Sequence, residues 1–177
     1  MVLFLGQHYP YKGFRQVAEA AKKVWENVPD TRFVFIGPAV GQSEIVFKEM
    51  SEPRIIRLGK VSLQEKTDAL AACTLLCVPS TQESFGGVYA EAWCFGKPVI
   101  GCDIPAVAEV ITHQKDGFLI PQAPTEIASK IISLLENPTE AEAMGAAGKA
   151  KVEAKYTWNR IAENVDAIYN ELLAVGS

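Results

Sequence analysis

Glu83 and Glu91 stand eight positions apart in the stretch PSTQESFGGVYAE, with Gly86 and Gly87 side by side between them. Two carboxylates can accept hydrogen bonds from vicinal hydroxyls, as on a sugar or a ribose. Two adjacent glycines let a ligand approach the backbone closely. If a helix starts at the glycines, its first N–H groups have no internal partner and carry partial positive charge, which suits a diphosphate or a sugar hydroxyl. Singly, Glu91 also reads as an ordinary helix-surface acid, and Glu83 as an acid favoured by a helix N-terminus. Together with the glycines they read as a binding constellation. A lysine earlier in the chain, Lys12 in GQHYPYKG, could supply a full charge to phosphates, or be a solvated surface lysine; spacing alone balances the two.

These residues need a scaffold. Short apolar runs recur: VLFLG from Val2, RFVFIG from Arg32, RIIRLG from Arg54, TLLCVP from Thr74, PVIGCD from Pro98 and GFLIP from Gly117. They show little alternation, the pattern of parallel strands covered on both faces. Helical patterns separate them. The clearest runs from Gly13 to Val28, with Phe14, Val17, Ala18, Ala21, Val24, Trp25 and Val28 on one face. Others are predicted over Ser62 to Cys73, Gly87 to Phe95 and Thr125 to Leu135. After Pro138 two helices follow in succession, about Glu140 to Tyr156 and Trp158 to Val175. The last carries a broad apolar stripe, Trp158, Ile161, Ala162, Val165, Ile168, Tyr169, Leu172 and Leu173, that either packs on this domain or meets a neighbouring one.

Strand and helix in alternation predict an α/β, Rossmann-like doubly wound parallel six-stranded sheet with two extra C-terminal helices. In the order 3-2-1-4-5-6 a ligand sits where the order reverses, beyond strands one and four. The loops there are Gly6 to Gly13 and Pro79 to Gly87. They face each other across one crevice if the sheet is wound this way.

Composition narrows the rest. The 177 residues are 49% hydrophobic and 21% charged, with a net charge of −4. That fits a single domain over residues 1–177 and argues against nucleic acid as a partner. No apolar run approaches the ~18 residues of a membrane span. MVLFLG is too short for a signal segment and reads as a strand. Cys73, Cys77, Cys94 and Cys102 form no C-x-x-C pair and read as buried, reduced thiols of a cytoplasmic protein. His8 and His113 are too isolated to suggest a metal site.

The joined pattern PSTQESFGGVYAEAWCFGKPVIGCDIPAVAEVI, with FLGQHYPYKG, FVFIGP at Phe33, IIRLGKV at Ile55 and DGFLIP at Asp116, resembles the E-x7-E region and flanks of the retaining, nucleotide-sugar-dependent glycosyltransferases of the GT-B type, the glycosyl transferases group 1 (family 4). The resemblance covers almost the whole chain and implies the C-terminal, donor-binding domain of a two-domain enzyme, one half of a GT-B fold, with the N-terminal acceptor domain absent. By similarity Glu83 contacts the donor sugar. The backbone of Ser84, Phe85, Gly86, Gly87 and Val88 cradles sugar and phosphate. Glu91 holds the ribose, Lys12 neutralises the diphosphate, and Gly59 to Val61 meets the base. The resemblance implies a UDP-, GDP- or ADP-linked donor, no metal or other cofactor, an acceptor of unstated kind, and peripheral contact with the inner face of a membrane through the other half. One position departs: the family has Arg where Gln7 stands. Gln7 can donate a hydrogen bond but carries no charge, so one of two diphosphate cations is lost. Arg15 and Lys60 are replacements by position alone.

Three other readings compete. A nicotinamide-dependent dehydrogenase would need G-x-G-x-x-G after the first strand, and GQHYPYKG lacks it. A GT-B-like epimerase or phosphorylase lacks support in the joined motif. A non-catalytic nucleotide-sugar-binding module remains open, because a fold is not a function.

Overall fold

The computed structural model describes residues 1–50 and 52–175. Each apolar run forms a strand: β1 (Val2–Leu5), β2 (Phe33–Ile36), β3 (Ile55–Gly59), β4 (Leu75–Val78), β5 (Val99–Cys102) and β6 (Gly117–Ile120). β2, β4 and β5 are buried at every residue, which explains their lack of alternation. The strands make one parallel sheet in the order β3-β2-β1-β4-β5-β6. The order reverses between β1 and β4. β1 and β2 pair from Val2↔Phe33 to Leu5↔Ile36. The β1–β4 register covers Val2↔Leu75 and Leu3↔Leu76. The two central strands therefore part toward their carboxyl ends and leave a crevice there.

The helices are α1 (Phe14–Asn27), α2 (Ser43–Met50), α3 (Leu63–Ala72), α4 (Gly87–Cys94), α5 (Pro105–Ala108), α6 (Pro124–Glu136), α7 (Pro138–Lys155) and α8 (Trp158–Val175). α1 buries Phe14, Val17, Ala18, Ala21 and Val24, the face its spacing predicts. α3 starts where Ser62 caps it: the Ser62 hydroxyl accepts from the Glu65 N–H, and the Glu65 carboxylate accepts from the Ser62 N–H. α2 and α5 were not expected from the sequence. α2 has two turns and buries Ser43, Val46 and Phe47, and α5 is a single turn. Both are too short for an 11-residue periodicity window to register.

α4 carries the second glutamate and is held from behind. Tyr89, Ala92 and Trp93 are buried along one face. Trp93 Nε1 donates to the Asp116 carbonyl at 2.8 Å. The buried Asp116 carboxylate pairs with Lys151 of α7, whose ammonium lies 5.1 Å from the Trp93 ring centroid. α7 approaches this closely because its facing residue is Gly148; a Cβ there would lie 2.0 Å from Trp93 Cδ1.

One expectation is corrected, the burial of all four cysteines, and one of the two open readings of the α8 stripe is excluded. The stripe does not pack on this domain: every described α8 residue through Ala174 is exposed, Trp158 by 84%. The core is already closed by α6 and α7, which bury Ile127, Ile131, Leu134, Met144 and Val152, so α8 has nothing left to cover. Cys94 is exposed, because it is the last residue of α4 and follows the core-facing Trp93; Cys73, Cys77 and Cys102 are buried. Burial pushes the Cys73 thiol up to about 11.

Gly148→Val would force a branched side chain into the Trp93 ring. The expected result is a loss of about 1–3 kcal/mol of stability, read as a lower urea midpoint.

Candidate functional site

The loop after β1 is folded by its own backbone. His8 N–H bonds to Pro38 O at 3.1 Å, tying it to the loop after β2, while Lys12 N–H bonds to Tyr9 O at 3.0 Å. Pro10 opens a 3-10 turn over Pro10–Lys12, where its fixed φ is favourable. The turn presents Lys12 to the loop after β4. The Tyr9 and Tyr11 rings stack beside it, 5.3 Å apart.

The loop after β4 ends in α4. Gly86 has φ +73°, and a Cβ there would lie 2.5 Å from the Tyr89 ring, so the position demands glycine twice over. Tyr89 pins the turn to the sheet by donating its hydroxyl to Val78 O at 2.7 Å. Burial, and next the charge of Glu83, hold that phenol well above its ordinary pKa, so it remains a donor. Gly87 faces open space, and Gly86 offers no side-chain cap. The α4 N-terminus is therefore open to a ligand.

Between the loops lies a cleft of about 350 Å3, and Gln7, Lys12, Glu83, Gly86, Gly87 and Val88 all line it. Tyr9 and Tyr11 line it too, which the sequence reading missed; the signal was two aromatics flanking a proline in a loop. Larger hollows of about 530 and 420 Å3 lie beside the edge strand β3, and another of about 510 Å3 lies along the exposed face of α8. In the first two, Arg57 pairs with Glu44 and Arg54 with Glu52, and none of the three sits at the switch point.

Within the cleft the two ionisable groups meet. Lys12 Nζ donates to Glu83 Oε1 at 2.5 Å, with the side chains 21% and 9% exposed. Glu91 lies on α4 outside the cleft lining, where Lys66 of α3 donates to its carboxylate at 2.8 Å. That pair is half-buried but still solvent-screened, and worth on the order of 1 kcal/mol, so a ribose diol can compete for the carboxylate. Lys66 was not anticipated, since nothing in its spacing ties it to a residue 25 positions on.

The other named residues do not line the cleft. Ser84 and Phe85 are exposed on its rim, and Phe85 meets Tyr156 edge to face at 5.3 Å. Val61 packs partly buried against the core at the start of α3. Arg15 pairs with Glu19 on α1, and Lys60 is exposed beyond β3. Among the described residues, Lys12 is the one lysine or arginine lining the cleft. No group of three or more His, Cys, Asp or Glu converges among the described residues, and no described helix is long and apolar enough to cross a membrane.

A six-stranded parallel sheet in this order, with a cleft and an open helix N-terminus at its switch point, defines a Rossmann-like domain of the kind that binds ligands at strand carboxyl ends. Residues 1–151 match the family described as glycosyl transferases group 1, and the chain belongs to that family. It is 30% identical to the phosphatidyl-myo-inositol mannosyltransferase of Mycobacterium tuberculosis over 99% of this chain and 48% of that protein. The chain thus spans about half the length of the curated relatives it matches. Among solved structures of GT-B glycosyltransferases, it superimposes on the sucrose-phosphate synthase of Thermosynechococcus elongatus with TM-score 0.86 at 24% identity, covering 98% of this chain and 45% of that one. The C-terminal domain of a glycosyl transferase group 1 family protein from Francisella tularensis gives TM-score 0.81 at 24% identity, covering 89% and 86%. Anabaena HepE, solved with UDP and glucose, gives TM-score 0.81 at 23% identity, covering 96% and 47%.

His8 supports the first loop from behind. It is buried among Phe4, Phe14, Phe35 and Phe47, with neither ring nitrogen partnered. Burial first, then Arg57, lowers its pKa from the ordinary 6.5, against a smaller opposing effect of Glu44. Above that value both folded and unfolded imidazoles are neutral. Below it the unfolded chain takes up a proton that the folded chain refuses, so stability falls as pH falls. Urea titrations from pH 7.5 to 5 should show a loss of at most about 1.4 kcal/mol per pH unit below pH 6.5 from this group. His8→Leu should flatten that part of the profile.

Proposed function

We propose that this chain is the donor-binding half of a glycosyltransferase that holds a nucleoside diphosphate sugar and supports retaining transfer of its glycosyl group to an acceptor hydroxyl. The observation that carries this reading is the switch-point cleft, where Lys12 and the open α4 N-terminus face one another from the two sides. A diphosphate placed there meets a full charge on one wall and unsatisfied N–H groups on the other. Both are preorganised for the charge that develops on the leaving diphosphate. No metal is required for that stabilisation.

The Lys12–Glu83 pair gives the reading a mechanical consequence. A diphosphate draws the Lys12 ammonium toward itself and releases the Glu83 carboxylate for the sugar. Glu91 exchanges Lys66 for the ribose diol, Phe85 to Val88 follow the sugar and phosphate, and Gly59 to Val61 meets the base. Gln7 hydrogen-bonds the diphosphate without charging it. The acceptor site belongs to a second half, and the exposed α8 stripe is the surface on which that half docks. HepE was solved with UDP and a Corynebacterium glutamicum relative is named as GDP-mannose-dependent, so both donors merit testing here.

A second reading, a nucleotide-sugar-binding module without turnover, draws on one observation: Gln7 stands where the family carries a cation, and Lys12 is the one lysine or arginine on the cleft walls among the described residues.

Calorimetric titration with UDP, GDP and ADP tests the proposal. One should bind, with an affinity unchanged by EDTA. Glu91→Ala and Lys12→Ala should each weaken it about 10- to 100-fold, the scale of a lost charged hydrogen bond. Absence of binding by all three would sink the proposal. Binding without turnover in the chain joined to an acceptor half would favour the second reading.

A further inference from the structure

The β1–β4 pairing ends at Leu3↔Leu76, so the sheet itself does not set the gap between the two loops of the cleft. Apart from the Lys12–Glu83 pair inside the cleft, the loops meet at one carbonyl. Tyr11 O accepts from the Thr81 backbone N–H at 2.8 Å and from Gln122 Nε2 at 2.9 Å. The same Gln122 amide nitrogen donates to Pro79 O at 2.7 Å. Gln122 belongs to neither loop. It follows β6 and reaches them across 111 and 43 positions of sequence.

The chemistry of the clasp is specific. An amide nitrogen has two protons, and here each has an acceptor on a different loop. Both acceptors are carbonyl oxygens, so the nitrogen and not the oxygen of the amide must face them. The approach is close enough that Gly13 leaves it room. Gly13 has φ +79°, and a Cβ there would lie 2.8 Å from Pro79 O and 3.0 Å from Gln122 Nε2.

We propose that Gln122 is a positioning residue that sets the width of the donor cleft by holding both loops at once. This rests on reading the cleft as a nucleoside diphosphate site. Tyr11 directly precedes Lys12, and Pro79 opens the loop that carries Glu83 and the α4 N-terminus. A diphosphate needs both loops in register, because its two stabilising groups come one from each. A nucleoside held by Glu91 beside α3 needs only the second loop. Loss of the clasp therefore weakens the diphosphate and spares the nucleoside, whereas a general loss of stability would not distinguish the two.

The test uses Gln122→Leu, which removes both donors, and Gln122→Asn, which keeps the amide but is one methylene too short to span both carbonyls. Each variant is titrated with UDP and with uridine, or with the matching guanosine or adenosine pair if another base binds. Amide hydrogen exchange at Thr81 is measured on the protein without nucleotide. The expected result is diphosphate binding weakened about tenfold, nucleoside binding within about twofold of the parent, and Thr81 exchange accelerated about tenfold. Unchanged diphosphate binding, an equal loss for nucleoside and diphosphate, or unchanged Thr81 exchange would each overturn the clasp. If the parent chain binds no nucleoside diphosphate, the proposed function falls, and Thr81 exchange decides the role of Gln122 by itself.

Discussion

The site exists because two parallel strands at the centre of the sheet lead their chains in opposite directions. β1 sends its chain toward β2 and β3, and β4 sends its chain toward β5 and β6. Each crossover brings a helix back over the sheet, and the two sets of crossovers leave opposite ways from one point. A cleft lies between the departing loops, whose strands have already stopped pairing. The cleft, the glycines at its lip and the open end of α4 all follow from that divergence.

A gap made this way has to be held at a useful width, and the protein does so from outside it. Tyr89 ties the start of α4 to the end of β4, and Gln122 ties the loop after β4 to the loop after β1. Trp93, Asp116, Lys151 and Gly148 fix α4 against α7 and the start of β6. Breaking the Asp116–Lys151 pair would leave a charge in a buried setting, which costs far more than the intact pair contributes. Residues far from the cleft in sequence thereby decide where the loop of Glu83 and the helix of Glu91 are held.

Charge in and beside the cleft is sparse and already engaged. Lys12 is bonded to Glu83, and Glu91 to Lys66. Each carboxylate is kept in place by a cation, which on the proposed function a polyhydroxylated, anionic donor would draw off. In the proposed donor site, with Gln7 in place of a second cation, the α4 dipole would carry more of the anion stabilisation, and its strength would depend on water being kept away from the helix end. The half-buried Tyr9 and Tyr11 pair, and the exposed α8 stripe, are surfaces on which such exclusion can be built.

What the sequence determined by itself was the six strands, every helix but α2 and α5, and the winding that their alternation implies. Strands such as FVFI and LLCV are continuous apolar runs, and burial on both faces is a local demand that each segment states alone. The glycines of ESFGG and the KG of the first loop were legible because a positive φ or a close backbone approach restricts residue type at a single position. Tertiary structure alone decided the partnerships. Lys12 with Glu83, Lys66 with Glu91 and Gln122 with both loops span 71, 25, 111 and 43 positions, and no periodicity encodes such pairings. It also decided that α8, amphipathic like α1, stays uncovered while α1 is buried. The same apolar stripe can seal a core or face outward, and the choice depends on whether the sheet still has surface to cover.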